Sequence, residues 1–419
     1  MSADVAIIGA GYVGMPHAQT FADAGRKVVL VDINPAVVEG INRGESHIED
    51  VHSDDLKRLV DAGLISATTD FGVVAGCAAV VIAVPTPLSP QREPDLAYVE
   101  RAARSIGPHL RKGHVVVLES TTYPGTTREV LQPVLEERSG LKAGADFHLA
   151  FAPERVDPGR TDWTTKSTPK VVGGIDAAST EAAAALYRSA LDDVHEVSTA
   201  EAAELTKLLE NIFRSVNIAL VNELAQLCDR MDIDVWEVIE AAATKPFGFM
   251  PFQPGPGLGG HCIPLDPYYL AWKAREFDFN TRFVELAGEI NNNMPYFCRS
   301  VISQALNHGA QKPLKGSKIL LLGVAYKADI GDVRESPAEK LLQLLRNAGA
   351  DVSYHDPYVA EFDGLRSVPL DPTAYDCIAI VTAHSTIDYD ELVDAAPLVV
   401  DLRNATGVKG TASDKVFKL

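Results

Sequence analysis

The sequence predicts an α/β protein made of two doubly wound parallel-sheet domains, joined by a long central helix and a helical middle region. Three observations predict it. Short β-branched runs alternate with helical patterns over roughly the first 195 residues. An apolar repeat of helical period takes over near Ser198. Strand–helix alternation then resumes after Gln311-Lys-Pro-Leu-Lys-Gly316. The expected domains are 1–197, 198–311 and 312–419.

In the first domain, Val5–Ile8, Lys27–Asp32, Ala79–Val84, Val115–Glu119 and His148–Ala152 read as buried strands of a parallel sheet. The turns Val84-Pro-Thr-Pro-Leu-Ser-Pro90 and Ser120-Thr-Thr-Tyr-Pro-Gly-Thr126 follow strands, where an open α/β sheet binds its ligands. Ser198 and Glu201 read as a capping box, and Leu205, Leu208, Leu209, Ile212, Phe213, Val216 and Leu220 follow as one long helix to Met231. Helices are expected at 234–243 and 283–307, separated by the Gly/Pro run from Pro251 to Pro267, which precludes regular structure. Lys318–Val324, Asp351–His355, Cys377–Thr382 and Leu398–Leu402 are the strands of the last domain, with a helix over Ser336–Ala348.

At 419 residues the chain exceeds the roughly 250–300 at which one hydrophobic core stops growing. A net charge of −19 with no basic run disfavours nucleic acid and anionic membranes, so an anionic ligand needs a local basic pocket. The five cysteines have neither disulfide nor zinc spacing, which fits a reducing cytoplasm and predicts no metal. The first residues lack the basic, apolar and small-residue pattern of a signal peptide and no apolar stretch of about 18 residues is seen, so a cytoplasmic protein without a membrane span is expected.

Gly9-Ala-Gly-Tyr-Val-Gly14 follows the first strand and opens a helix, and Asp32 closes the second strand eighteen residues beyond Gly14. The glycines allow a tight turn and close approach to a pyrophosphate. The helix N-terminus supplies amide donors, and the acid accepts from ribose hydroxyls, favouring NAD over NADP. This makes the first domain Rossmann-like. Gly323-Val-Ala-Tyr-Lys327 lacks the fingerprint, so the second Rossmann-like domain is not expected to take a second dinucleotide.

Lys207 and Asn211, four apart on the long helix, make either a donor pair for a developing oxyanion or a solvated polar face beside Glu204 and Glu210. Cys262, inside the Gly/Pro loop with Asp266 close behind, is either a nucleophile toward an aldehyde or a small buried hydrophobe. Glu154, at a strand end in Pro153-Glu-Arg155, either activates a water or pairs with Arg155. Arg282, Lys327, Arg334 and Arg403 jointly form the candidate basic pocket.

With these residues assembled, the chain resembles the UDP-glucose/GDP-mannose dehydrogenase family over essentially its whole length, with a likeness to its UDP-N-acetylglucosamine 6-dehydrogenases. The motifs that carry the resemblance are Gly9–Gly14, Val84-Pro-Thr-Pro87, Glu119-Ser-Thr121, Ala152-Pro-Glu-Arg155, Glu210-Asn-Ile-Phe-Arg-Ser-Val-Asn217, Gly259-Gly-His-Cys262, Tyr326-Lys-Ala-Asp329 and Val333-Arg-Glu-Ser-Pro337. The resemblance implies NAD-dependent oxidation of a sugar C6 hydroxyl to the carboxylate by two hydride transfers, through a thiohemiacetal and a thioester on Cys262. It implies that Lys207 and Asn211 stabilise the oxyanion, Asp266 assists proton transfer, and Glu154 with Thr121 positions the hydrolytic water. It places NAD against Gly9, Gly11, Tyr12, Val13, Gly14, Asp32, Pro85, Thr86, Ser120, Thr121 and Arg334. It places the UDP-sugar against Glu154, Arg155, Lys207, Asn211, Arg214, Gln253, Gly255, Gly257, Arg282, Lys327 and Arg403, and it implies a homodimer through the central helix.

Two departures bear on the sugar. UDP-glucose enzymes commonly carry a second acid four residues after the Glu154 position and Pro-Lys-Asp after the cysteine, where this chain has Pro158 and Pro264-Leu-Asp266. Both weaken a UDP-glucose assignment, while Gly-Gly-His-Cys followed by Asp266-Pro-Tyr-Tyr269, together with Thr281-Arg-Phe-Val-Glu-Leu-Ala287, resembles the UDP-N-acetylhexosamine branch, which puts UDP-N-acetylglucosamine ahead of UDP-N-acetylmannosamine and UDP-glucose. The competing readings are a two-electron β-hydroxyacid-type dehydrogenase, which needs no cysteine, and a catalytically silent nucleotide-sensing module.

Overall fold

The computed structural model describes residues 3–48, 50–89, 91–156, 163–260 and 263–419. The chain forms two compact units, Met1–Glu210 with Tyr268–Phe279, and Asn211–Pro267 with Asn280–Leu419. The middle region is therefore shared between them, and the helix Ala200–Met231 crosses the boundary.

The first unit is built on an eight-stranded sheet. Its strands are β1 (Val5–Ile8), β2 (Val28–Val31), β3 (Ile65–Thr68), β4 (Ala79–Ile82), β5 (Val115–Leu118), β6 (His148–Phe151), β7 (Lys170–Gly174) and β8 (Val194–Glu196). The order is β3-β2-β1-β4-β5-β6-β7-β8. β1, β2 and β4 are buried at every residue, as expected of strands covered by helices on both faces. The order reverses between β1 and β4, which opens a crevice at their carboxyl ends. One departure from the all-parallel expectation is β7, which runs antiparallel to β6. β3, β7 and β8 were not expected from the sequence. β7 ends in Gly173-Gly174, β3 alternates apolar with polar residues, and β8 has a single apolar residue in three, so none reads as a buried run.

The long helix is capped by Thr199, whose Oγ1 accepts from Ala202 N at 3.1 Å, rather than by Ser198. The expected capping box fails because Glu201 turns to Arg128, with Oε1 2.9 Å from Nε.

The second unit holds a parallel sheet, β10-β9-β13-β14-β15, formed by β9 (Lys318–Leu322), β10 (Asp351–His355), β13 (Cys377–Ile380), β14 (Val399–Asp401) and β15 (Val416–Lys418), with a small hairpin β11 (Glu361–Phe362) and β12 (Leu365–Arg366). Helices Val235–Ala243 and Arg282–Ala305 lie close to their expected bounds, and the Trp236 indole donates to the Leu419 carbonyl at 3.1 Å. Among its described residues the Gly/Pro run is irregular until Asp266, which starts a helix to Ala274 that the sequence did not announce. No helix among the described residues is long and apolar enough to cross a membrane.

Candidate active site

Gly9 leaves β1 at φ +101°, and a Cβ there would lie 2.5 Å from the Ala83 carbonyl oxygen. A Cβ on Gly14 would meet the Gly9 oxygen at 1.9 Å, so the first helix, Gly14–Asp23, must begin on a glycine. At Gly11 a Cβ would meet nothing within 4 Å, and the helix has no side-chain cap. Open space and uncapped amides are what a pyrophosphate requires. Asp32 accepts from Ala10 N and Asn34 N, each at 2.9 Å, which fixes its carboxylate at the tip of β2. These residues fit a dinucleotide.

Opposite, the turns after β4 and β5 are laced together. Ser120 Oγ donates to the Val84 carbonyl and Thr86 Oγ1 to the Thr121 carbonyl, both at 2.7 Å, while Tyr269 Oη donates to the Thr86 carbonyl at 2.5 Å. Ser120 and Thr86 thus spend their hydroxyl protons on the loops, whereas Pro85 and Tyr12 are exposed and Val13 is half-buried.

Glu154 emerges just past β6. Its Oε1 accepts from Arg155 N at 2.8 Å and Val156 N at 2.7 Å, and its Oε2 lies 3.1 Å from His17 Nε2. The Arg155 guanidinium is not its partner, contrary to the alternative read from sequence; it reaches Glu210 Oε1 and the Pro169 carbonyl, each at 2.6 Å. Burial pushes the Glu154 carboxyl up, but Lys170, His17, the Val156 amide and Lys207 outweigh it and hold it at about 2. So anchored, Glu154 is suited to accepting hydrogen bonds and poorly suited to taking a proton.

Lys207 is 5 % exposed, which rules out the solvated-face alternative for it. On the same helix, Glu204 accepts from Gly125 N (2.6 Å), Thr127 N (2.8 Å) and Thr127 Oγ1 (2.7 Å). Burial nevertheless raises its carboxyl to about 7.

In the second unit, Asn211, fully buried, donates to Asp266 Oδ2 and accepts from Arg214, both at 2.5 Å. The Gly/Pro loop is fastened by polar contacts. Gly255 N donates to Asn222 Oδ1 at 2.9 Å, Asn222 to Asn291 Oδ1 at 2.9 Å, and Asn291 to the Ser215 carbonyl at 3.1 Å. A Cβ on Gly255 would meet Arg403 Nη1 at 2.3 Å, and Gly257, at φ +138°, abuts Pro337 and Asn291.

Burial pulls the Arg403 guanidinium below its ordinary value, opposed by Cys298 and Asp401. Asp401 spends its carboxylate on the Arg403, Ala405 and Thr406 amides and the Thr406 hydroxyl, so Arg403 is an undercompensated cation suited to an anion. Arg334 is paired with Asp332 at 2.6 Å, Lys327 is half-buried, and Gln253 and Arg282 are exposed; Arg282 has no hydrogen bond into these networks among the described residues. Cys262, with His261 and Pro158, lies outside the described residues.

Residues 3–191 match the NAD binding domain of the UDP-glucose/GDP-mannose dehydrogenase family, 201–293 its central domain and 320–408 its UDP binding domain. The chain belongs to the UDP-glucose/GDP-mannose dehydrogenase family. It is an NAD-dependent UDP-sugar dehydrogenase in class. It is 39 % identical to the UDP-N-acetyl-D-mannosamine dehydrogenase of Pyrococcus horikoshii over 91 % of this chain and 89 % of that one. To the UDP-N-acetyl-D-glucosamine 6-dehydrogenase of Pseudomonas aeruginosa it is 35 % identical, over 91 % and 90 %. A solved structure of UDP-D-ManNAc dehydrogenase from Pyrococcus horikoshii superposes with a TM-score of 0.90 at 34 % identity, covering 99 % of this chain and 98 % of that one.

Sequence reasoning missed His17, Glu119, Lys170 and Glu204. The only signals were a histidine on the inner face of the first helix and a lysine opening a buried strand, and neither names its partner.

Proposed function

We propose that this enzyme oxidises the C6 hydroxyl of a UDP-N-acetylhexosamine to the uronate in a four-electron reaction, with the nucleotide-bearing ends divided between the 1–197 region for NAD and the 312–419 region for UDP. The observation that carries the reading is Glu154, held as a carboxylate in the same unit as the dinucleotide turn and under the influence of Lys207. A two-electron dehydrogenase has no water to deliver, whereas thioester hydrolysis needs a fixed acceptor for one. NAD, against Gly9, Gly11, Gly14 and Asp32, supplies the hydride acceptor.

Lys207 and Asn211 donate to the C6 oxygen as it gains charge, with Asn211 aimed by Arg214 and Asp266. The Cys262 thiolate adds to the aldehyde carbon and keeps the half-oxidised sugar attached; the second oxidation leaves a thioester. Water, held by Glu154 and Thr121, displaces the Cys262 sulfur and frees the uronate. Arg403, with the Gln253–Gly257 loop beside it, faces the diphosphate.

The names of the relatives support the N-acetyl class. The mannosamine enzyme of Pyrococcus horikoshii weighs toward UDP-N-acetylmannosamine, and the Pseudomonas aeruginosa relative keeps UDP-N-acetylglucosamine, first on the sequence reading, as the second choice. Leu220, Leu224, Leu227 and Met231 recur along one face of the long helix at 53, 39, 50 and 57 % exposure, which supports a homodimer through that helix. Among the described residues four cysteines are free, which fits a reducing cytoplasm.

The test counts NADH formed per limiting UDP-sugar for the two N-acetylhexosamines and UDP-glucose. About two NADH per sugar, with one N-acetyl substrate preferred, is expected. One NADH per sugar removes the thioester step, and preference for UDP-glucose removes the N-acetyl assignment.

A further inference from the structure

Behind Glu154 lies a sealed cluster contributed by elements far apart in sequence. Lys170, the first residue of β7 and 4 % exposed, places Nζ 2.9 Å from Glu119 Oε1, 3.0 Å from His17 Nε2 and 3.4 Å from Glu154 Oε2. His17, 1 % exposed, approaches Glu154 through Nε2; its Nδ1 lies 3.0 Å from the Val13 carbonyl and 3.4 Å from Glu119 Oε2. Tyr187 donates to Glu119 Oε1 at 2.6 Å, and its ring lies 5.2 Å from the Lys170 ammonium.

The Lys170 ammonium is the permanent cation of the cluster, close to both carboxylates and to the His17 ring. Burying two carboxylates and an ammonium is a costly way to fill a core, and apolar residues of similar volume commonly do so as well or better. Four members are sealed, and only Glu154, with a side chain 16 % exposed, opens outward. The arrangement is therefore directed at Glu154.

We propose that Lys170 and His17 are positioning residues for Glu154: they keep its carboxylate ionised and immobile, so that it orients the hydrolytic water as a permanent acceptor instead of taking its proton. This rests on the assignment of Glu154 to thioester hydrolysis. In that step the water oxygen bonds to the acyl carbon as the carbon–sulfur bond breaks. One water proton ends on the departing Cys262 sulfur, and the other goes to solvent as the uronic acid ionises.

The groups facing Glu154 are His17 from the first helix, Lys170 from β7 and Lys207 from the long helix, while Glu119 and Tyr187 stand behind Lys170. Loss of Lys170 removes the largest influence opposing burial, so the Glu154 carboxyl should rise.

The experiment uses the full chain with NAD and the preferred UDP-N-acetylhexosamine, and reads the NADH burst and the pH profile of steady-state kcat. In Lys170→Met the burst of about two NADH per site should persist while kcat falls roughly 10- to 100-fold and gains an acid limb. Lys170→Arg should restore the flat profile. Should Lys170→Met fail to fold because Glu119 is stranded, the Glu119→Gln/Lys170→Met double variant removes both charges and is read in the same way. A kcat and pH profile matching wild type, or loss of the burst itself, overturns the proposal. Glu154→Gln tests the underlying assignment separately: normal hydrolysis there removes Glu154 from the step, whereas impaired Glu154→Gln beside normal Lys170→Met removes only the role given to Lys170 and His17.

Discussion

Asp266 Oδ2 accepts from Asn211 Nδ2 at 2.5 Å while the Arg214 guanidinium donates to Asn211 Oδ1 at 2.5 Å, so one buried amide is aligned from both ends. A flipped amide would set oxygen against carboxylate and NH2 against guanidinium, which the pair forbids. Asp266→Asn should therefore lower kcat by roughly 100-fold or more with KM for the UDP-sugar nearly unchanged. Arg214→Met, which leaves one end held, should cost roughly tenfold. Steady-state kinetics check both; a rise confined to KM would place this amide in ground-state binding.

Two glycines of one turn should fail differently. In Gly14→Ala the new Cβ meets backbone oxygen at 1.9 Å, so urea denaturation should show a loss of roughly 1–3 kcal/mol. In Gly11→Ala nothing lies within 4 Å, so stability should hold while KM for NAD rises roughly tenfold or more as the methyl occupies space meant for pyrophosphate. A Gly11→Ala variant with normal NAD kinetics would mean the cofactor does not approach that residue.

Gly255 and Arg403 make a similar test at the nucleotide end. The methyl of Gly255→Ala would lie 2.3 Å from Arg403 Nη1, a flexible tip that can move aside. The variant should keep its melting temperature within a few degrees, while KM for the UDP-sugar rises roughly tenfold and KM for NAD stays put. Equal rises in both would contradict the assignment of Arg403 to UDP.

Glu204 should make stability depend on pH. Its folded-state carboxyl is raised from 4.5 to about 7, chiefly by burial, so its contribution is full below about 4.5 and declines as pH rises through about 7. Glu204→Gln has no charge to bury. Comparing urea unfolding at pH 5 and pH 8, wild type should lose roughly 1–3 kcal/mol relative to the variant as pH rises. A difference independent of pH would show that the three donors keep Glu204 ionised throughout.

Features dictated by local chemistry were legible in the chain before it folded. Gly9–Gly14 could be read because a positive φ and a backbone approach admit only glycine, and Asp32 because it ends a buried strand at the spacing a ribose requires. The long helix was legible because its apolar residues keep one period from Leu205 to Leu220. Ranges such as Val5–Ile8 were found to the residue because every one of their side chains is enclosed by the fold around them.

Which charges meet is settled by folding. Lys170 finds His17 across 153 positions and Thr127 finds Glu204 across 77, and nothing in a run such as Lys170-Val-Val-Gly-Gly174 says which carboxylate its lysine will neutralise. The Thr199 cap displaced Ser198, and Glu210 displaced Glu154 as the Arg155 partner, because several residues of equal local fitness were available and packing chose among them. Sequence patterns record backbone and burial preferences that act within a few residues. The pairing of buried polar groups is set by the low-dielectric interior, which exists only once distant segments have closed around it.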